Sequence, residues 1–232
     1  MHSSSVLPRA LISRSGLTTA AAAAVAAGGR VADLRRDAWG HGILAVAHAV
    51  RIAGADTVLV DSASEVEALR LEGIEATVDG DADIDSSLLY GLPDAAGALV
   101  TRPVLRLAGR VMSTKALKPG DAVSYGYTYR AAEHTVVALV TGGYAQGIVR
   151  ALGNAAHVEV AGVERPIVGR VAMDVCVVDL QGEDVPVGTE ITYFGGTGPA
   201  APALARWSAV TGLTVAELVT IVGLHCAREW EE

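Results

Sequence analysis

The feature that most constrains the fold is a change of pattern partway along the chain. Up to about residue 80, short β-branched runs such as Thr57 to Val60 alternate with amphipathic stretches such as Ile43 to Val50. From Pro103 onward, extended apolar runs follow one another with Pro and Gly between them. Alternating strands and helices predict parallel βα units, whereas successive strands with turn residues predict an antiparallel barrel or sandwich. We therefore predict an α/β segment over residues 1–97 and an all-β segment over residues 98–232.

The Ala-rich run from Leu17 to Ala27 has two interpretations. It stands behind Arg9 and Arg14, as the apolar part of a secretion signal would. However, it consists of Ala and Thr rather than Leu, and it is too short to span a bilayer. Because Ala is the best helix former, we interpret the run as the first helix, closed by Gly28, and we expect a cytoplasmic protein.

The remaining elements follow from periodicity and caps. In the first segment, strands are expected at Arg30 to Leu34, Thr57 to Val60 and Ile74 to Val78, with a short apolar stretch at Leu88 to Tyr90. In the second segment, strands are expected at Val104 to Met112, Val123 to Tyr129, Thr135 to Val140, His157 to Val171 (two strands), Cys176 to Leu180 and Glu190 to Phe194. Two helices are expected at Ala203 to Thr211 and Val215 to Leu224, and the second opens with a capping box of Thr214 and Glu217.

Composition excludes several classes of protein. Hydrophobic residues make up 51% of the chain, which is enough for a full core. The net charge is −8, and the two lysines, Lys115 and Lys118, form no basic tract, so we expect neither nucleic acid nor an anionic membrane as partner. Cys176 and Cys226 form no CxxC or His/Cys cluster, so we expect no metal and two buried thiols in a reducing compartment.

Three local clusters could carry chemistry. Residues 37–42 form a Gly-rich turn at the carboxyl end of a parallel strand, where α/β proteins place ligand sites. Tyr125, Tyr127 and Tyr129 would line up on one strand face at a period of two. Residues 169–174 join two strands. Each cluster also has a plain structural interpretation, as a tight βα loop, an aromatic packing face and a charged connection.

Taken in order, these stretches resemble the alanine racemase family, whose members use pyridoxal phosphate. The resembling stretches are Ala38 to Gly42, Leu89 to Leu92, Arg102 to Leu105, Val123 to Arg130, Gly143 to Ala145 and Pro166 to Asp174. The resemblance implies a partial (β/α) TIM-type barrel, with strands resembling 8-1-2-3 of the family barrel, followed by an alanine racemase C-terminal-like antiparallel β-domain. The eighth strand is then expected near Leu88.

The resemblance also assigns roles to residues of the second segment. Tyr125 resembles the tyrosine that acts as one of the two proton-transfer bases. Met173 resembles the backbone position that receives the substrate carboxylate, with Asp174 beside it, and Tyr144 lies in a further family motif.

Several family positions are changed here. The position of the cofactor lysine is Arg35, whose guanidinium stays protonated and cannot form a Schiff base. The aromatic that offers a hydroxyl to the cofactor phosphate is Trp39, which has an N–H and no oxygen. The other changed positions are Ile84 for an arginine, Ser86 and Ser87 for a Gly-Ile pair, Gln146 for an aspartate, and the tail of residues 227–232, which lacks the family tyrosine. We therefore expect no cofactor, and pyridoxal phosphate only if the chain is an active racemase.

A long stretch of the family sequence is absent between Val78 and Leu88. A barrel cut in this way would expose an apolar inner face of several hundred Å², equivalent to about 10 kcal/mol at roughly 25 cal/mol per Å². We therefore expect a homodimer, or a heterodimer with an intact alanine racemase. The interpretation we favour is a non-catalytic binding, regulatory or dimerisation subunit. The alternatives are an active amino-acid racemase or other isomerase, whose cofactor site a partner could supply, and a degenerate gene product without a selected task.

Overall fold

The structure is a computed structural model that describes residues 7–232. Its first elements, in chain order, are β1 (Arg9–Ser13), α1 (Arg14–Ala27), β2 (Val31–Asp33), α2 (Arg35–Trp39), α3 (Ile43–Ala53), β3 (Thr57–Leu59), α4 (Ala63–Leu71), β4 (Ala76–Thr77) and α5 (Ser86–Tyr90). The predicted alternation of strands and helices is confirmed. α1 covers the Ala-rich run and ends at Gly28, as expected.

The remaining elements are mostly strands. They are β5 (Leu105–Leu117), β6 (Ala122–Val123), β7 (Tyr129–Arg130), β8 (Thr135–Thr141), β9 (His157–Val160), β10 (Val163–Val168), β11 (Val175–Asp179), β12 (Glu190–Phe194), α6 (Ala203–Thr211), α7 (Val215–His225) and β13 (Ala227–Glu231). α7 begins with the predicted capping box, in which the Glu217 carboxylate accepts the Thr214 N–H at 2.7 Å.

Six strands close into an antiparallel barrel. The order is β12-β9-β10-β11-β8-β5, and β12 pairs again with β5. Closure removes the exposed edges that an open sheet of this size would leave. The predicted all-β second segment is therefore confirmed as a closed barrel.

Two further strands extend the large sheet beyond β5. β1 pairs antiparallel with β5 and parallel with β13, so the first strand lies between two strands of the second segment, residues 98–232. Ion pairs reinforce this junction. Arg9 binds Glu190 (2.7 Å) and Glu229 (2.9 Å), and Arg106 binds Glu190 (2.6 Å) and Glu231 (3.1 Å). β13 has no counterpart among the predicted strands.

A separate parallel sheet has the order β2-β3-β4. Its strands contain three, three and two residues, and Ala32, Val58 and Leu59 are buried within the chain itself. The expectation of a wide exposed inner face of Val, Leu and Ile is therefore wrong for these strands. The strands are too short to carry such a face.

The expectation of a strand near Leu88 is also wrong. Residues 86–90 form the short helix α5, because the Asp85 side chain caps it by accepting the Ser87 N–H at 2.7 Å and the Leu88 N–H at 3.4 Å. The segment just before α5 lies next to β2 instead. There the N–H groups of Asp83 and Ile84 donate to the Val31 carbonyl at 3.0 and 3.1 Å.

The tyrosine series does not lie on one strand face, as the period of two predicted. Only residues 122–123 and 129–130 are extended, and the chain between them is a loop. Ser124, Gly126 and Tyr127 have φ values of 66°, 83° and 50°, and this left-handed backbone breaks the alternation. Tyr129 is held apart from the other two tyrosines, since its hydroxyl donates to Asp179 at 2.8 Å.

α6 and α7 pack on the barrel through buried residues, including Leu204, Trp207 and Leu218. No single helix within residues 7–232 is long and apolar enough to cross a membrane. α6 and α7 are together long and apolar enough, but the chain bends by 105° at the break between them.

One histidine is part of the core. His41 is fully buried, and its Nδ1 lies 3.0 Å from the Ala38 carbonyl oxygen, so Nδ1–H donates there. Its ring lies 4.5 Å from the ring of Tyr90, and its Nε2 has no hydrogen-bond partner within residues 7–232. Burial lowers the pKa of His41 from 6.5 to about 4, and the bonds to the carbonyl oxygens oppose this shift only in part.

The close approach after α5 gives a first prediction. Gly91 has φ +62°, and a Cβ placed on it would lie 2.0 Å from the Arg102 carbonyl oxygen. Gly73 has a similar φ of +70°, with no described atom within 4 Å of such a Cβ. We expect Gly73→Ala to cost about 1 kcal/mol of unfolding free energy, and Gly91→Ala at least about 2 kcal/mol more, because the backbone must shift. Urea denaturation measures both variants. Equal losses would contradict the close contact.

The buried histidine gives a second prediction. In the unfolded chain His41 binds a proton below pH 6.5, whereas in the folded chain it stays neutral until about pH 4. The unfolding free energy should therefore fall as the pH falls, by about 2 kcal/mol between pH 7.5 and pH 5. His41→Gln should remove this part of the pH dependence, and exposed His134→Gln should keep it. If His41 titrates near pH 6.5 in the folded protein by NMR, its burial is not as described.

Candidate functional site

The loop after β2, which contains α2, is a left-handed turn rather than a right-handed helix. Residues 36–39 all have φ between 53° and 55°. For side chains other than Gly, this conformation costs roughly 1–2 kcal/mol per residue. Four such residues in a row persist only where the surrounding structure holds them.

The β-domain supplies that support. The backbones of Gly40 and of Gly223 in α7 are in contact. A Cβ on Gly223 would therefore lie only 2.5 Å from the Gly40 carbonyl oxygen. Arg228 of β13 forms an ion pair with Asp37, and the other Asp37 oxygen accepts the Ile43 N–H at 2.7 Å. The loop is thus fixed by residues from the far end of the chain.

Arg35, at the start of this loop, is bound to Asp33. Its Nε and Nη2 donate to the two carboxylate oxygens at 2.9 and 2.8 Å, a bidentate ion pair. Burial raises the pKa of Asp33, but the hydrogen bonds and charge of Arg35 outweigh burial and bring that pKa below its ordinary value. The same hydrogen bonds raise the pKa of Arg35. Both groups therefore stay ionised and paired.

Aromatic rings fill the space beside this pair. The Trp39 ring stacks on Tyr90 with 5.1 Å between ring centroids. The Tyr90 hydroxyl donates to the Asp33 carbonyl at 2.8 Å, and burial raises the pKa of Tyr90 well above 10. We call Asp33, Arg35, Trp39 and Tyr90 the β2 cluster. Its donors and acceptors are largely satisfied by one another.

Three of the changed family positions lie at the start of α5 or just before it. Ile84 is buried in the core, and its N–H donates to Val31. Ser86 and Ser87 form the first turn of α5, where the Asp85 carboxylate already takes the Ser87 N–H. A carboxylate at this position competes with any phosphate for the same donors.

The second group of sequence-predicted residues lies on an edge of the β-domain. Tyr125 is 78% exposed at the tip of its loop. The loop rests on the turn after β10, where the Ser124 hydroxyl donates to the Arg170 carbonyl at 2.7 Å. Met173, 54% exposed, follows on the same turn.

Tyr144 and Asp174 complete this edge. The Tyr144 N–H donates to the Ala172 carbonyl at 2.9 Å, and the Gln146 amide donates to Asp174 at 3.0 Å. Gln146 is buried and also accepts the Gly143 N–H at 3.0 Å, so it joins two turns. We call Tyr125, Tyr144, Met173 and Asp174 the rim.

The structure thus brings together Arg35 with Trp39, and Tyr144 with Met173 and Asp174. Within residues 7–232, no hydrogen bond or ion pair joins a β2-cluster residue to a rim residue, and no group of three or more His, Cys, Asp or Glu is arranged to hold a metal ion. Sequence reasoning missed Asp33 and Arg228. Residues 227–231 do not alternate polar with apolar side chains, so the sequence offers no local signal for Arg228.

Comparison with known proteins relates the second half of the chain to one family. Residues 104–230 match the family model described as alanine racemase, C-terminal domain. The chain is 36% identical over 136 residues to an alanine racemase of Salinispora arenicola, and 37% identical over 141 residues to one of Thermobifida fusca. These matches cover 58% and 60% of this chain, but only 37% and 38% of the two relatives.

Solved structures extend the likeness in fold. The alanine racemase of Streptomyces coelicolor A3(2) aligns with a TM-score of 0.84 and 20% identity, over 97% of this chain and 98% of that chain. An alanine racemase from E. faecalis aligns with a TM-score of 0.80 and 19% identity, over 97% and 98% of the two chains. At these identities the likeness concerns the fold alone. Since the family model matches more than half of its 232 residues, this chain belongs to the alanine racemase family.

Proposed function

We propose that this chain is a member of the alanine racemase family that lacks racemase activity of its own and serves as a binding, regulatory or dimerisation subunit. The observation that carries the proposal is the ion pair between Arg35 and Asp33. Arg35 stands where the family resemblance puts the cofactor lysine. A guanidinium that is protonated and bound on two nitrogens offers no lone pair to a carbonyl carbon.

The residues present do not fit pyridoxal phosphate, the cofactor of the family. Trp39 has no hydroxyl to offer a phosphate, and its ring is occupied by Tyr90. The Asp85 carboxylate caps the turn that carries Ser86 and Ser87. The two lysines of the sequence, Lys115 and Lys118, lie in β5 and just after it, not in the loop after β2. We therefore derive no reaction through this cofactor.

We also propose that the parallel sheet corresponds to part of the family barrel. The order β2-β3-β4, with residues 83–84 bonded to Val31 on the other side of β2, supports an arrangement of strands eight, one, two and three. Free cysteines at 176 and 226 suit the reducing cytoplasm, which we propose as its location.

The rim supports the binding role. Tyr125 and Tyr127 are 78% and 66% exposed on the loop before β7, and Met173 and Tyr144 are 54% and 43% exposed on turns bonded to one another. Exposed apolar side chains of this kind occur at interaction surfaces. We propose that the rim meets a second copy of this chain or an intact alanine racemase. If an intact partner supplies a complete cofactor site, Tyr125 could act there as a base, which is the active alternative.

The first prediction of the proposal concerns the cofactor. Incubated with pyridoxal phosphate and reduced with borohydride, the chain should gain no cofactor mass at residue 35 and should not racemise alanine. Arg35→Lys alone should not restore activity, because Trp39 and Asp85 still oppose phosphate binding. Mass spectrometry and a chiral assay measure both results.

The matched control is a variant with Lys115→Met and Lys118→Met, which removes adventitious labelling of surface lysines. An authentic alanine racemase validates the assay. Racemisation by Arg35→Lys alone would show that the other lost contacts matter little, and activity of the unchanged chain would refute the proposal.

The second prediction concerns assembly. The chain should sediment as a dimer at low micromolar concentration, and Tyr125→Asp with Met173→Asp should dissociate it by burying charge at the rim. Leu71→Asp is the control, since Leu71 is 77% exposed on α4 and is not one of the rim residues. A folded wild-type monomer that also does not bind an intact alanine racemase would contradict the binding role.

A further inference from the structure

The last strand of the large sheet has one free edge. Within residues 7–232, β13 pairs with β1 alone and stands at the end of the strand order, and no other backbone group in that range bonds its second edge. Four of its five residues are exposed. A free edge presents a row of N–H and C=O groups that pair readily with another extended chain. β13 therefore offers a surface to which a strand can be added.

A large groove lies on one face of β13. Its volume is about 830 Å³, and its walls come from β1, α1, the loop after β2, α3 and β13. Arg228 and Trp230 both line it, because side chains two residues apart point to the same face of a strand. Ile12, which pairs in register with Trp230, and Leu17 of α1 also line it. Pockets of roughly 300–1,000 Å³ hold drug-sized ligands, so this groove has room for several side chains.

The groove is mostly apolar. Leu44 and Ile52 form part of its α3 wall and are exposed to solvent. Its two arginines already have partners. Arg228 forms the ion pair with the loop after β2, and the Arg14 guanidinium lies 4.9 Å from the centre of the Trp230 ring. The groove therefore favours apolar side chains.

The opposite face of β13 is acidic. Glu229 and Glu231 alternate with the two groove residues of this strand, so they point away from the groove. Together with Glu190 they bind Arg9 and Arg106, over distances of 2.6 to 3.1 Å. Three carboxylates thus share two guanidiniums, and this face keeps a net negative charge that attracts cations.

A second copy of this chain fits the free edge poorly. Two antiparallel β13 strands related by a two-fold axis must be centred on one residue that faces its own copy. Centred on Arg228 or Glu229, they bring two like charges directly opposite, and centred on Trp230 they set Glu229 against Glu231. Like charges directly opposite destabilise a strand pair. The charges of β13 therefore favour a different chain as its neighbour.

We propose that the free edge of β13 binds an extended peptide in which apolar side chains alternate with basic ones. The peptide continues the sheet through backbone hydrogen bonds. Its apolar side chains enter the groove beside Trp230, and its basic side chains lie on the face of Glu229 and Glu231, since paired strands share the same alternation of faces. This site shares no residue with the rim and does not depend on the proposed function.

Fluorescence anisotropy on the full chain tests the site, with labelled and capped synthetic peptides as long as β13. A peptide of alternating leucine and lysine should bind saturably. A peptide of alternating leucine and glutamate, and one with its leucines and lysines in separate blocks, should each bind at least about tenfold more weakly, because they lose the charge match or the alternation. Equal binding of the three peptides would overturn the proposal.

Two variants separate the groove from the rest of the surface. Leu44→Gln combined with Ile52→Gln should weaken binding of the leucine–lysine peptide by about tenfold or more, because the apolar area that the peptide covers is reduced. Leu71→Gln is the matched control, since Leu71 is an exposed leucine of α4 that does not line the groove, and it should leave binding unchanged. Unchanged binding by the double variant would refute the role of the groove.

Hydrogen exchange locates the peptide without relying on those variants. The bound leucine–lysine peptide should slow the exchange of those β13 N–H groups that face the free edge. A peptide with the same side chains, methylated at every backbone nitrogen, cannot donate hydrogen bonds and should bind at least about tenfold more weakly. Unslowed exchange in β13 or equal binding of the methylated peptide would overturn strand addition. Slow exchange that depends on protein concentration without any peptide would show that a second copy covers the edge instead.

Discussion

The arrangement of the whole chain depends on the hydrogen bonding of β1 at both of its edges. β5 takes one edge, β13 takes the other, and Ala10 and Ile12 are fully buried between them. α1 continues directly from β1, and β1 belongs to the large sheet, so this sheet sets the position of α1. The same C-terminal strand then carries Arg228 to Asp37, so one piece of sheet both attaches the βα segment and holds its left-handed loop.

The two regions that the family resemblance singles out have opposite characters. In the β2 cluster, Arg35 is paired with Asp33 and Trp39 is stacked on Tyr90, so each side chain has its partner within the chain. On the rim, Tyr125 and Met173 project into solvent from loops whose backbones are firmly bonded. Side chains that are already paired within the chain stabilise the fold and are not free to react. Exposed apolar side chains on the rim are typical of a surface that binds a partner. This contrast is the basis of our proposal that the chain binds a partner rather than catalyses a reaction.

The sequence predicted best those elements whose signals are local. α3 followed from the 3.6-residue period, and α7 from its capping box. The strand expected at Leu88 was wrong because the Asp85 cap favoured a helix, and the tyrosine strand was wrong because Gly126 and two left-handed neighbours form a loop. β13 and the Arg35–Asp33 pair were not predicted. The first depends on pairing with β1, far away in sequence, and the second on the φ values of a turn that composition does not encode.

The pairing of β1 with β13 also has a consequence for synthesis. Arg9 faces Ala227 in register, so residue 227 must leave the ribosome before β1 gains its second neighbour. Until then one edge of β1 is unpaired, and Gly40 in the loop after β2 lacks its contact with Gly223 of α7. Unpaired strand edges of this kind attract other chains. Contacts between residues so distant in sequence also close slowly. β13 therefore protects the nascent protein against aggregation at this edge, and β1 is most open to other chains in the interval before β13 emerges.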